Sequence, residues 1–367
     1  MSKIVHLTSV HPRYDVRIFH KECMSLSKNW EVALIVADNK GDEICQNIKI
    51  YDVGKENGRF NRIFKTTKKV YQKALQLNGD IYHFHDPELL PVGKKLAQKG
   101  KKVIYDSHED MPALLSEKEW ITPFLRPLVA KIFTYYERYC IKKFAAVVTV
   151  TPLMTQRFQK SFSNVCQITN FPIDSSNFID HRKWDYSVCF AGGISKQWMH
   201  ENILKAITEI DNITYRLAGI SDSENYFNQL KEMSVWNKVE YHGKIPHQDV
   251  HDFIQYSTAA IALNDYVANV GFKEGSLGNT KLFEYMQAGI PVICTDFHQW
   301  KQIVKNENCG ICVNPHNIDE IKNAIEFLLN NPEQARQMGE NGRKAVTEKY
   351  NWKTQENKLF SLYGNLL

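Results

Sequence analysis

A chain of 367 residues exceeds the size at which one hydrophobic core usually stops growing, so two domains of ordinary size are expected. With 43% hydrophobic, 12% aromatic and 24% charged residues the composition is that of a folded protein and excludes a disordered one. The net charge of +5 is spread thinly, without the dense Lys/Arg block of a nucleic-acid arm, and suits an anionic small substrate or an anionic membrane surface.

The first half alternates short apolar runs with helical stretches: KIVHLTSV, a helix over 17–28, EVALIVA, a basic helix over 64–77, DIYHFHD and KVIYDSHE. A long helical region over 127–143, then AAVVTVT, a helix and VCQITNFP complete it. β-rich runs separated by helices predict a parallel sheet with right-handed crossovers. The pattern restarts with VCFAGGIS, ITYRLAGI, VEYHGKI, AAIALND, the helix of KLFEYMQAG, PVICTD and CGICV. Two doubly wound α/β units are therefore predicted, over 1–172 and 185–348, joined by a linker at 173–184. The last segment, 349–367, reads as a helix that either packs back on the first unit or caps the second.

The eight cysteines are scattered, and the start MSKIVHLTSV reads as a strand rather than a signal segment, which predicts a cytoplasmic protein. Cys309-Gly-Ile-Cys312 has the spacing of a redox or zinc half-site, but no second pair lies nearby, and it reads as the start of a strand. No apolar run approaches the ~20 residues that span a bilayer, so membrane contact would be peripheral. The segment WITPFLRPLVAKIFTYYERYCIKK at 120–143 mixes aromatics with Arg and Lys; it either lies on an anionic membrane or buries its aromatics in the first unit.

In open α/β sheets ligands bind beyond the carboxyl ends of the strands, and the polar residues cluster there. After the first strand come His11, Arg13, Asp15, Arg17 and His20, without the G-x-G-x-x-G of a dinucleotide site. Arg17 is placed to meet a phosphate, and Asp15 serves either the cleft or the helix as its cap. In His83-Phe-His85-Asp86-Pro-Glu88, alternation puts His83 and His85 on one face, close enough for a metal with Asp86 and Glu88. No third rigid ligand is assignable, so no metal is expected, and His85 and Asp86 read as cleft residues bonding sugar hydroxyls. Behind VIY stand Asp106, Ser107, His108, Glu109 and Asp110, and such a cluster at a strand end favours a ligand-facing role for His108 and Glu109.

In the second unit Gly192 and Gly193 follow a strand, letting backbone approach a phosphate, and Lys196 adds charge; a tight turn explains the glycines equally. The densest signal is GFKEGSLGNTKLFEYMQAGIPV at 271–292, a glycine-rich loop running into a helix, with Gly278, Asn279, Thr280, Lys281 and Leu282 at its start. Glu284 lies one turn beyond Lys281, where a carboxylate can accept two hydrogen bonds from adjacent ribose hydroxyls; an i,i+3 surface ion pair is the alternative.

Asn279-Thr-Lys-Leu-Phe-Glu-Tyr-Met-Gln-Ala-Gly-Ile-Pro-Val-Ile closely resembles the donor-binding helix of retaining family 4 glycosyltransferases of the GT-B fold. The resemblance extends to the His-x-His-Asp and Tyr-Asp-Ser-His-Glu strand ends, Thr169-Asn-Phe-Pro172, Ala191-Gly-Gly-Ile-Ser and Tyr350-Asn-Trp. It implies two Rossmann-like domains facing across a cleft, acceptor side first and donor side second. It also implies retaining transfer of a hexose or N-acetylhexosamine from a nucleotide diphosphate sugar, UDP by family frequency, to a glycan or lipid-linked glycan acceptor in surface-polysaccharide assembly. Metal independence is expected, and no nucleic-acid partner.

By this resemblance Glu284 matches the second glutamate of a Glu-x7-Glu motif. The first falls on Ser276, and Glu274 stands two residues too early. The family's phosphate-binding Arg and Lys fall on Gly193 and Trp198, leaving Lys196 and Lys281 to supply the charge. His108 matches a strand-end histidine beside the reacting sugar. The rival readings are an NDP-sugar epimerase of similar fold, which would convert donor without acceptor, and a non-catalytic nucleotide-sugar-binding protein.

Overall fold

The computed structural model describes residues 1–118, 120–173 and 185–367, so the linker read at 173–184 lies, but for Ile173, outside the described residues. The chain forms two compact units, Met1–Asn170 with Trp352–Leu367, and Phe171–Asn351. The terminal helix, Trp352–Leu366, therefore belongs to the first unit.

The first unit holds an eight-stranded sheet. Its strands are β1 (Lys3–Leu7), β2 (Glu31–Val36), β3 (Glu43–Cys45), β4 (Ile48–Asp52), β5 (Ile81–Phe84), β6 (Lys102–Ser107), β7 (Ala146–Thr149) and β8 (Val165–Gln167), in the order β3-β4-β2-β1-β5-β6-β7-β8. All neighbours are parallel except β3 and β4. The apolar runs are near continuous because helices cover both faces, as parallel sheets require. Ile4, Ile18, Val32, Trp352, Leu359 and Tyr363 fill one face, and Val5, Leu7, Val70, Phe84 and Leu96 the other. The order reverses between β1 and β5, where His6 and His83 stand opposite each other in register.

Two features depart from the sequence reading. Residues 43–52 form an antiparallel hairpin whose two loop residues, Gln46 and Asn47, both have positive φ (51° and 64°), as a type I′ turn demands. The helix expected over 17–28 is a π-helix at Val16–Cys23 with a short α turn at Met24–Leu26. Its i→i+5 turns stack Arg17 and Glu22 one turn apart, and the Arg17 Nε lies 3.1 Å from Glu22 Oε1.

The second unit holds a fully parallel six-stranded sheet of β9 (Ser187–Ala191), β10 (Thr214–Ala218), β11 (Val239–Gly243), β12 (Ala259–Ala262), β13 (Val292–Thr295) and β14 (Gly310–Val313). The order is β11-β10-β9-β12-β13-β14, reversing between β9 and β12. Cores built on Phe190, Ile203 and Tyr215, and on Phe283, Tyr285 and Trp300, cover its faces. All eight cysteines are free thiols; Cys309 immediately precedes β14, and Cys294 and Cys312 stand 3.7 Å apart on neighbouring strands.

Candidate functional site

A reversal of strand order opens a crevice beyond the strand ends, because the loops on either side leave in opposite directions. In the second unit that point lies between the turn after β9 and the loop after β12. The Gly192 amide donates to the Ala218 carbonyl and Ile194 pairs with Ser221, bringing the ends of β9 and β10 together. A Cβ on Gly219 would lie 1.7 Å from the Gly192 oxygen, so the two backbones meet only because Gly219 has no side chain and holds φ +145°. On the other side, Gln197 donates to Asn264 (3.1 Å), and the Asn264 amide to Thr295 Oγ1 (2.7 Å).

The helix Lys281–Gln287 starts at this turn. Lys281 Nζ donates to the Ala191 carbonyl, and the Tyr285 hydroxyl accepts from the Ala191 amide at 3.2 Å. The Lys281 ammonium sits 5.0 Å from the Phe190 ring and 5.5 Å from Trp198, so cation–π attraction holds a charge that burial otherwise penalises. Burial lowers its pKa, opposed by the nearby Glu284. The carboxylate of Glu284 accepts from Thr280 Oγ1 at 2.6 Å, and Asn279 Oδ1 accepts from the Lys281 amide. Lys281 and the Gly192 turn, ninety residues apart in sequence, thus form one surface, and Trp198, at the position the resemblance reserves for a Lys, packs the Lys281 ammonium instead.

The remaining donor-side residues scatter more. Gly193 faces open space and Lys196 is exposed, 5.9 Å from the Tyr226 ring. Gly278 donates its amide to Ser276 Oγ. Leu282 is fully buried and packs the helix to the core. Glu274 lies on a half-exposed turn, its carboxylate 3.2 Å from His298. Asp265, Tyr266, Asp296 and His316 were not singled out in sequence, yet they meet at the ends of β12, β13 and β14. His316 lies 2.9 Å from Asp265, and the Tyr266 hydroxyl donates to Asp296. Their signal was position alone, just after apolar strands.

The first unit's strand ends gather the predicted residues differently. Arg17 is buried: Nε and Nη2 grip Asp106 at 2.9 and 3.0 Å, and Nη1 donates to the Ile168 carbonyl. It is the core of an ion-pair network rather than an exposed phosphate ligand. Asp15 caps its helix, accepting from the Arg17 and Ile18 amides at 2.9 Å, and also meets His11 at 3.2 Å. Asp86 accepts from Thr8 Oγ1 and from the Ser9 amide, locking the loop after β1 to the end of β5. Glu88 is bound by Arg62 and Ser9. Asp86 and Glu88 therefore point away from the two histidines they were paired with in sequence. Glu109 is exposed, and its carbonyl accepts from Ser107.

His85 and His108 do meet. His85 Nδ1 lies 3.1 Å from His108 Nε2, and both approach Asp106 Oδ2, at 3.3 and 3.0 Å. Burial would raise the Asp106 pKa, but the charges of Arg17 and His108 hold it well below the usual carboxylate range. Burial depresses His85 to about 4, so it is neutral at pH 7. His108 alone of this trio keeps a solvent-facing edge.

Residues 174–345 match the family profile described as Glycosyl transferases group 1. An uncharacterized glycosyltransferase of Methanocaldococcus jannaschii is 23% identical over 185 residues, 49% of this chain and 45% of that protein. The chain thus spans less than half the length of that curated relative. Among solved structures, sucrose-phosphate synthase from Thermosynechococcus elongatus superposes with a TM-score of 0.77 at 16% identity, covering 100% of this chain and 99% of the other. The Anabaena protein HepE, in complex with UDP and glucose, gives 0.74 at 13% identity, with 100% of both chains covered. Two parallel-sheet α/β units and these neighbours make the fold GT-B. On that fold, residues 174–345 are similar to the Glycosyl transferases group 1 domain.

Proposed function

We propose that the protein is a retaining, family 4 type glycosyltransferase that moves a hexose or N-acetylhexosamine from a UDP-sugar to a glycan hydroxyl, in the assembly of a bacterial surface polysaccharide. The observation that carries the reading is the meeting of Lys281 with the Gly192 turn at the reversal of strand order in the second sheet. A diphosphate laid against Gly192 and Gly193 has a buried ammonium beside it, where a low dielectric strengthens its hold on developing negative charge. Glu284, one turn along, is assigned the ribose hydroxyls, and Lys196 the outer phosphate. The sequence offers no compelling carboxylate nucleophile. That fits same-face attack in which the departing phosphate takes the acceptor proton, with no metal at the diphosphate.

His108 is assigned to the acceptor side, its Nε2 oriented by Asp106, with His85, Asp86, Asp15 and Glu109 shaping the same strand ends. The test is incubation of the purified protein with a panel of nucleotide sugars and glycan acceptors, with and without chelator, and anomer analysis of the product by NMR. Retained configuration and chelator-insensitive transfer are expected. Conversion of donor without acceptor indicates an epimerase, and tight donor binding without turnover a binding protein; either outcome defeats the proposal.

The same reading places the first unit on a membrane that presents a lipid-linked acceptor. Most of the large apolar side chains of 120–143 are exposed: Trp120, Phe124, Leu128, Ile132, Tyr135 and Tyr139 are all more than half exposed, the last four at helical spacing on Arg126–Ile141. Phe133 packs against the core, but that exposure favours the membrane reading, with an apolar stripe beside basic side chains in the pattern of an interfacial helix. Among the described residues no helix is long and apolar enough to cross a membrane. Flotation with anionic vesicles should carry the protein upward, and Ile132→Glu with Tyr135→Glu should leave it at the bottom; failure of the unmodified protein to float defeats this part.

A further inference from the structure

Beneath the strand-end cluster of the first unit lies a set of donors of which the proposed transfer draws only on His85, and on that residue only to shape the acceptor side. His6, Glu22, His83 and His85 have no exposed side-chain surface. His6 Nδ1 stands 3.0 Å from His85 Nε2. Glu22 Oε2 faces three imidazole nitrogens, His6 Nδ1 at 4.0 Å, His83 Nδ1 at 3.9 Å and His85 Nε2 at 4.0 Å.

Neither Glu22 oxygen has a hydrogen-bond partner, although the Arg17 guanidinium is close to one of them. Leaving a buried carboxylate without hydrogen bonds is costly, and nitrogens at 3.9–4.0 Å are too distant to relieve it. An ion with four N and O ligands at about 2.0–2.2 Å sets those donor atoms roughly 3.3–3.6 Å apart, between the 3.0 Å and the 3.9–4.0 Å found here.

We propose that His6, Glu22, His83 and His85 form a structural site for a divalent transition ion of the zinc class. Three imidazoles and one carboxylate are its customary ligands, and a closed, buried site with no position left for water is structural rather than catalytic. Two of the three outer nitrogens are braced as metal-bound histidines usually are, while His83 Nε2 has no hydrogen-bond partner, Asp106 Oδ2 lying 3.9 Å away. His85 Nδ1 lies 3.3 Å from Asp106, itself held by Arg17, and His6 Nε2 lies 3.5 Å from the Tyr363 hydroxyl. That hydroxyl also stands 2.7 Å from His83 Nδ1 and yields this nitrogen to the ion. The ion ties β1 and the end of β5 to the helix Val16–Cys23. It does not touch the donor side, so the inference stands or falls separately from the proposed transfer.

Because the site is buried, the full-length protein is unfolded in chelator and refolded with zinc, with cobalt or with neither. Natively purified protein from zinc-supplemented cells is measured beside it, so that poor refolding does not decide the result. One tightly held ion per chain, a metal-dependent rise in Tm, and the intense visible absorption of four-coordinate cobalt are expected. Glu22→Gln should weaken retention at least tenfold while far-UV dichroism is unchanged; should that variant fail to fold, the cobalt spectrum of the unmodified protein decides. Substoichiometric metal in both preparations with no shift in Tm, or unchanged binding by folded Glu22→Gln, overturns the proposal and leaves a protonated Glu22 among imidazoles bonded to one another.

Discussion

At the scale of single residues, the proposed function divides the work of holding a donor between two side chains of the second unit in unlike surroundings. Glu284 keeps one neighbour, Thr280, and is free to exchange it for ribose hydroxyls. Losing a charged hydrogen-bond acceptor costs about 1.5–3 kcal/mol, so Glu284→Ala should weaken UDP binding by about 10- to 100-fold, measured by calorimetry, with the fold intact. Lys281 is different, because Phe190, Trp198 and the Ala191 carbonyl already hold it. Lys281→Ala should lower kcat severely and also lower Tm; near-normal transfer would show that the leaving phosphate is held elsewhere. The i,i+3 ion pair that the sequence allowed is absent from the structure's hydrogen bonds, since Glu284 turns back to Thr280. Spacing showed that the two residues share a helix face, but which neighbour each would choose depended on β9, far away in sequence.

At the scale of elements, the tight passage between β9 and β10 is the most demanding piece of backbone. Gly219→Ala sets a methyl carbon against the Gly192 carbonyl in a conformation that L residues avoid. It should disturb the Gly192 turn, with UDP affinity falling more than global stability; full UDP affinity in this variant would detach that turn from the donor site. Strands were legible because both faces of each sheet are covered, which writes them as unbroken apolar runs. The hairpin at 43–52 was not, because its strands are short and half exposed, and Gln46-Asn47 is a muted version of the usual Asn-Gly signal. The π-helix also escaped, since its apolar pattern is read as α. With it went the contact between Arg17 and Glu22, which α spacing would set apart. His6 was passed over as one polar residue in a buried strand; only its register with His83 gives it meaning.

At the scale of the whole molecule, buried histidines make stability depend on pH. His200 is fully buried, bonded to the Tyr215 hydroxyl at 2.9 Å, and burial with the nearby Lys281 charge depresses it to about 3. Its folded pKa lies below the unfolded value of 6.5, so the unfolded chain takes up the proton first. Stability is full above pH 6.5 and falls as pH drops toward about 3, by up to about 1.4 kcal/mol per pH unit. In denaturant titrations His200→Gln should be the less acid-sensitive protein over that window; parallel curves would show that His200 does not set the slope.

The assignment of Trp352–Leu367 to the first unit has a consequence in time as well as in space. The first sheet is encoded ahead of the second unit, but one wall of its core, Trp352, Leu359 and Tyr363, is encoded after it. On the ribosome the second unit emerges whole while the first still lacks that wall, so the unit begun first is finished second. Trp352→Ala, which removes a buried ring and its bond to Ser25, should cost about 3–5 kcal/mol in the first unit. It should also lengthen the interval in which nascent chains are open to protease, read by pulse proteolysis during translation; unchanged protection would mean that the first unit closes without its last helix.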